Sequence, residues 1–225
     1  MKKRNQKKLC LGIGFLVAFL LWTLAVRVVD VQAIGPQGSV VGFATFNRAV
    51  HEMTGVHLSL YTITDWLGLV PLGFVMGFGV LGLVQWIKRR HIRRVDPSIL
   101  VLGGFYVVVL AVFVLFECWA VNYRPVLIEG RLEVSYPSST TMLVMCVIPT
   151  AILQLRTRLQ NPVIRRTVIT VLIAFSLFMV VGRLISGVHW CSDILGGTLF
   201  SAGMVLVYDA LSASSIRRGR EAADN

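Results

Sequence analysis

A chain of 225 residues that is 56% apolar, with a mean hydropathy of +0.74, lies above the roughly 45–50% apolar content of a soluble domain. Its formal charge of +11 would suggest nucleic acid in a soluble protein, but the positive residues stand in short runs between long apolar blocks, where retention on the cytoplasmic side of a membrane accounts for them. Six spans of roughly 20 residues each use most of the length, so residues 1–225 are expected to form a single all-α transmembrane domain with no nucleic-acid partner.

The basic stretch Met1–Lys8 precedes the apolar run Leu9–Val29. That run is long for a signal-peptide core and no small-x-small cleavage site closes it, so it reads as a retained first span. From Asp30 to Tyr61 the composition is mixed, with Asn47, Arg48, His51, Glu52 and His57 among apolar residues. Apolar positions at helical spacing from Val41 to Met53 predict a short helix lying in the interface. The second span, roughly Ile63–Ile87, carries Gly68, Gly73, Gly77, Gly79 and Gly82. Small residues at these intervals predict close helix contacts rather than a phosphate loop.

A basic loop, Lys88–Asp96, leads to Pro97, which suits the first turn of a third span over Ser98–Ala120. The polar loop Asn122–Pro137 holds Arg124, Glu129, Arg131 and Glu133. The fourth span starts near Ser138 and ends near Leu155, and a second basic loop runs Arg156–Arg166. The fifth span covers Thr167–Ile185, and Ser186–Trp190 form a turn. Asp193 opens the sixth span, which reaches Leu211 ahead of a basic tail with Arg217, Arg218 and Arg220.

An even number of spans puts both termini and the two basic loops on one side. Those segments carry 17 of the 22 Lys and Arg residues, which places them in the cytoplasm. The remaining five, Arg27, Arg48, Arg124, Arg131 and Arg183, fall at or near the opposite face. The expected setting is therefore the plasma membrane, with both termini cytoplasmic and any site built on these arginines extracytoplasmic.

Cys10, Cys118, Cys146 and Cys191 share no close spacing, which argues against a metal knot or a CxxC redox site. Cys118 and Cys191 fall near the same face and are a candidate disulfide. The histidines and carboxylates show no metal-ligand spacing, and neither the dinucleotide nor the ATP phosphate-loop pattern occurs. No metal or cofactor is implied.

Charges beside apolar spans are costly and call for an explanation. Arg183 falls in the last turn of span five, His189 six residues later, and Asp193 four residues after that. A carboxylate one helical turn from an imidazole can fix its tautomer and leave the other nitrogen free as nucleophile or base; an interfacial histidine beside a helix-capping aspartate is the alternative. Arg124 offers a planar fork of donors suited to phosphoryl oxygens, or a lipid anchor. Ser138, Ser139 and Thr140 open span four, where hydroxyls and amides can cap the helix or hold an anion. Three separate stretches thus bring an inventory for binding and attacking a phosphoryl group to one depth.

These stretches resemble the three motifs of the type 2 phosphatidic acid phosphatase (PAP2) superfamily, which shares its core with vanadium haloperoxidases: K-x6-R-P, P-S-G-H and S-R-x5-H-x3-D. The corresponding residues are Glu117-x6-Arg124-Pro125, Pro137-Ser138-Ser139-Thr140, and Gly182-Arg183-x5-His189-x3-Asp193. The resemblance implies a six-helix PAP2 bundle in which His189 attacks phosphorus to form a phosphohistidine and Asp193 orients it. Arg124, Arg183 and the amides and hydroxyls around Ser138 and Ser139 would hold the phosphoryl oxygens, and water would release phosphate. The implied substrate is a lipid phosphate or diphosphate.

The sequence departs from the pattern at three places. Glu117 stands for the lysine, and either pairs with Arg124 or Arg183 or faces away. Gly182 stands for the serine. Thr140 stands for the histidine that, in the family, protonates the leaving group. Threonine cannot do this near neutral pH, where positioned acids contribute about 10²–10⁴-fold. A phosphate leaving group needs less protonation, so a polyprenyl diphosphate is the expected preference. Arg131, His51 or His57 are candidates to supply the missing charge or proton. The other reading is a non-catalytic lipid-phosphate binder or transporter on the same scaffold.

Overall fold

The computed structural model describes residues 2–221, with side chains described from residue 3 to residue 215. The side chains of the basic tail, Arg217, Arg218 and Arg220, lie outside the described residues. The protein is an all-α polytopic membrane protein. Its described helices are α1 (Lys2–Val28), α2 (Ala44–Thr54), α3 (Leu58–Leu67), α4 (Leu69–Arg89), α5 (Pro97–Cys118), α6 (Ser139–Arg158), α7 (Pro162–Ile185) and α8 (Cys191–Glu221). Six stretches are long and apolar enough to cross a bilayer: α1, the α3–α4 pair, α5, α6, α7 and α8 through Ser215.

The second span begins at Leu58, five residues before the expected start at Ile63, and is divided at Gly68. Pro71 has no N–H to give the Leu67 carbonyl, and the Gly68 amide turns back to Thr64 and Asp65 at 3.1 and 3.0 Å. The interfacial helix over Val41–Met53 takes form as α2, and its buried Ala44 and Asn47 face the bundle.

Helix α6 is the most buried span, packed between α7 and α8, while α1 lies along α8. The α1–α8 crossing is close because it uses glycine on both sides. A Cβ on Gly203 would stand 2.9 Å from the Gly12 carbonyl oxygen, and one on Gly12 would stand 3.0 Å from that of Gly203. The glycines of α4 behave otherwise. A Cβ on Gly73, Gly77 or Gly79 would meet nothing within 4 Å, whereas one on Gly82 would touch Ile99 at 3.1 Å. The expectation of close helix contact therefore holds at Gly82 and fails at the other three, because small residues permit approach only where a partner helix arrives.

At the end of the bundle rich in Lys and Arg, Asp96 takes Arg89 at 3.2 Å and Arg158 at 3.3 Å, and Lys8 pairs with Asp209. All four cysteines are free thiols, Cys118 exposed and Cys191 half-buried, so the candidate disulfide is not formed.

Candidate active site

The opposite end gathers residues from five segments. The α7–α8 turn is fixed first: Gly187 adopts φ +67°, and a Cβ there would fall 2.0 Å from the Gly55 carbonyl oxygen. The His57 amide donates to the Ser186 carbonyl at 3.0 Å. Together these seat the turn against the α2–α3 connection and present His189 inward, where it is buried.

Asp193 lies in the first turn of α8 and has no exposed surface. Its Oδ2 accepts the Trp190 amide at 3.0 Å and its Oδ1 accepts Asn122 Nδ2 at 3.0 Å. The same carboxylate therefore caps the helix and faces the imidazole, with Oδ2 standing 4.0 Å from His189 Nδ1. That separation is too long for a hydrogen bond, and no well-aligned hydrogen bond holds Nδ1, although the Ser135 backbone lies close enough to favour a proton on the ring. Behind Asp193, Asn47 joins the α2 backbone to α8, donating to the Gly42 carbonyl and to Ser192 Oγ and accepting the Ser192 amide. Asn122, Asn47 and Ser192 carry no motif signature, and only their polarity beside apolar segments could have flagged them.

Arg124 Nη1 stands 3.3 Å from His189 Nε2. A guanidinium has only donors, so Nε2 is the acceptor and the ring proton sits on Nδ1, toward Asp193. Burial is the main cause holding the His189 pKa well below its ordinary value, with the charges of Arg124 and Arg183 acting in the same direction. The ring is neutral, with its Nε2 lone pair directed at Arg124. Glu133 forms an ion pair with Arg124 Nε at 3.0 Å.

Arg183 has 1% of its side chain exposed. Its Nη2 donates to Thr140 Oγ1 at 2.7 Å and its Nη1 to Thr64 Oγ1 at 3.4 Å. Asp65 Oδ1 stands 3.6 Å from Nη2. The Tyr61 ring faces both guanidiniums, with its centroid 4.9 Å from Arg183 and 5.7 Å from Arg124. Tyr61, Thr64 and Asp65 were not singled out from the sequence. An acid inside an apolar span was the available signal for Asp65.

Ser138 is buried and caps α6, its Oγ accepting the Thr141 amide at 3.5 Å, and its own amide donates to the Asp193 carbonyl at 3.2 Å. That amide is occupied as a strut between α6 and α8. Ser139 and Thr140 line a cavity of about 620 Å³ that opens beside Asp65 and runs between α4, α5 and α6 along Leu72, Val109 and Leu143. Glu117 is exposed and forms no ion pair among the described residues, so the expected pairing with Arg124 or Arg183 is not made; it lines a small cavity with Ser135, Pro137 and Ser139. Arg131 lies exposed in a turn closed by Ile128. His57 bonds the Thr54 carbonyl at 2.9 Å, and the His51 ring lies tilted against Trp190 with centroids 5.4 Å apart. No described hydrogen bond or ion pair joins Arg131, His51 or His57 to His189. Among the described residues no three His, Cys, Asp or Glu side chains stand together as metal ligands.

The PAP2 superfamily model matches residues 68–214. The chain belongs to the PAP2 superfamily. Among solved structures, it resembles the transmembrane PAP2-type phosphatidylglycerolphosphate phosphatase from Bacillus subtilis, with 17% identity, a TM-score of 0.56, and coverage of 95% of this chain and 97% of that one. At that identity the likeness is one of fold. No curated protein matches the chain.

One PAP2 departure has a structural counterpart. At Gly182, where the motif carries serine, a Cβ would stand 2.9 Å from Thr64 Cγ2. Thr64 fills that space, and its hydroxyl accepts from Arg183 while donating to the Leu60 and Tyr61 carbonyls of its own helix, so it braces the arginine. Thr140 has no such replacement by histidine. Its hydroxyl accepts from Arg183 Nη2, and Asp65 Oδ1 stands 3.6 Å from the same nitrogen.

Proposed function

We propose that this protein hydrolyses a lipid phosphate or diphosphate at the extracytoplasmic face of the plasma membrane, through a phosphohistidine on His189. The observation that carries the reading is the neutral His189 Nε2 turned toward Arg124 at 3.3 Å. An anion between Arg124 and Arg183 would meet donors on two sides and the lone pair on a third. In the first step Nε2 attacks phosphorus and the bond to the lipid oxygen breaks. Positive charge then develops on the ring, and Asp193 moves about 1 Å closer to accept from Nδ1, since catalytic hydrogen bonds often tighten only in the complex. In the second step water attacks phosphorus, phosphate leaves and His189 returns to neutral. The cavity beside Thr140 supports a lipid substrate, since its apolar lining ends at Thr140, the residue that Arg183 bonds.

Thr140 offers no acid for the leaving oxygen. A lipid diphosphate, whose leaving group is itself a phosphate, is the substrate class that tolerates this, and a polyprenyl diphosphate is the proposed preference. Purified protein is to be assayed for phosphate release from phosphatidic acid, phosphatidylglycerophosphate and undecaprenyl diphosphate, beside His189→Ala. The expected order puts the diphosphate first, and His189→Ala lowers release by more than about 10³-fold, as for loss of a nucleophile. Release untouched by that substitution would refute the mechanism, and faster turnover of the monophosphates would refute the preference. Saturable lipid binding with no release from any substrate would establish the alternative of a binding or transport protein, which the losses at Glu117 and Thr140 favour.

A further inference from the structure

We propose that Asp65 is the base that activates water in the second half of the reaction, a role that rests on the phosphohistidine reading of His189. Asp65 belongs to a membrane span, where an ionisable side chain is costly and marks function. It is also poorly explained as a structural counter-ion. Arg183 is already bonded by Thr140 and Thr64, and the Asp65 contact to it is a loose 3.6 Å. While the Arg183 side chain is 1% exposed, that of Asp65 is 58% exposed, and it lines the 620 Å³ cavity with Ser139 and Thr140. The carboxylate is thus open to the space a substrate must cross, one arginine away from the position where the family motif carries histidine.

The chemistry balances without any other group. His189 Nε2 displaces the lipid monophosphate from the terminal phosphorus of a diphosphate, and that product departs as an anion needing no proton. Asp65 then takes a proton from water as the oxygen attacks the phosphorus. The P–N bond breaks, its electron pair returns to Nε2, and phosphate leaves. Asp65 loses the proton through its exposed edge. A carboxylate base gives no help to an alkoxide leaving group, so this arrangement serves diphosphates and leaves monoesters slow.

The test uses full-length protein in detergent micelles with undecaprenyl diphosphate labelled at the terminal phosphate, quenched on a rapid timescale. In Asp65→Asn, the first step should proceed and the second should stall. Label should accumulate on the protein in an acid-labile, alkali-stable form while a burst of lipid monophosphate appears, and steady phosphate release should fall by about 10²-fold. Asp65→Glu should recover part of the rate, and a labelled burst itself reports a folded, active site. Unchanged release in Asp65→Asn overturns the proposal. So does lost release with no labelled protein, which would mean that Asp65 acts through the placement of Arg183. No labelled form in Asp65→Asn, together with no His189-dependent release by the wild-type protein, would remove the phosphatase reading, and this inference with it.

Discussion

Two aspartates flank the site in opposite surroundings. Asp193 sits in the packed half formed by α6, α8 and the Asn122 loop, with no exposed surface and donors on both oxygens. Asp65 sits in the open half formed by α3 and α4, over half exposed, with one loose arginine contact. The packed half can set the direction of an imidazole to a fraction of an ångström, because its side chains are held by several bonds each. The open half cannot position anything so finely, but it admits a long apolar ligand and a water molecule. A lipid-phosphate hydrolase needs both properties at one place, and here the boundary between them runs through the Arg183 guanidinium.

The largest effect expected from breaking the packed half follows Asp193→Asn. The asparagine oxygen can still accept the Trp190 amide, so the α8 cap survives, while the imidazole loses its carboxylate. The rate of phosphate release is expected to fall by about 10²–10⁴-fold, the scale seen when a catalytic histidine loses its orienting acid. Stability is expected to fall by about 1–3 kcal/mol, since the Asn122 donor would lose a charged acceptor. Thermal unfolding in a single detergent measures the second quantity and turnover the first. A variant with wild-type turnover would show that the 4.0 Å separation from His189 never closes and that Asp193 is a helix cap alone.

The same division explains what could be read from the sequence. The spans, the interfacial helix and the meeting of Arg124, Arg183, His189 and Asp193 follow from apolar run length and motif spacing, which are local properties. Asn122 and Asn47 act across 71 and 145 residues of chain, on Asp193 and Ser192, and nothing in their neighbourhoods announces the partner. Thr64 fills the space beside Gly182 and braces Arg183 only because α3 and α7 pack there, a tertiary fact with no trace in either segment alone. Asp65 is legible in principle as a lone acid in an apolar span, but no motif spacing ties it to Arg183, which lies 118 residues further along the chain. The glycine expectation failed at Gly73, Gly77 and Gly79 of α4 for a related reason: spacing states where two helices can approach, while the choice of α1 and α8 as the close pair depends on which surfaces are buried.

A pair of glycine substitutions separates the halves with the smallest expected effects. In the packed half, a Cβ at Gly196 would stand 2.6 Å from the Tyr136 ring. That ring is held by a 2.7 Å hydrogen bond to Thr23 and by packing on Phe19 and Phe116. It has no flexible end to yield, so Gly196→Ala is expected to cost about 1–3 kcal/mol, the range for overpacking. In the open half, a Cβ at Gly79 meets nothing within 4 Å and projects beside a second apolar cavity of about 430 Å³. Gly79→Ala should raise stability slightly, by about 0.5–1 kcal/mol, because alanine restricts the unfolded backbone and fits a helix interior. Opposite shifts in melting temperature, measured in one detergent, are the expected result. A loss at Gly79 matching that at Gly196 would mean that α4 packs against a surface the isolated chain does not contain, and the open half would then be open only until that surface arrives.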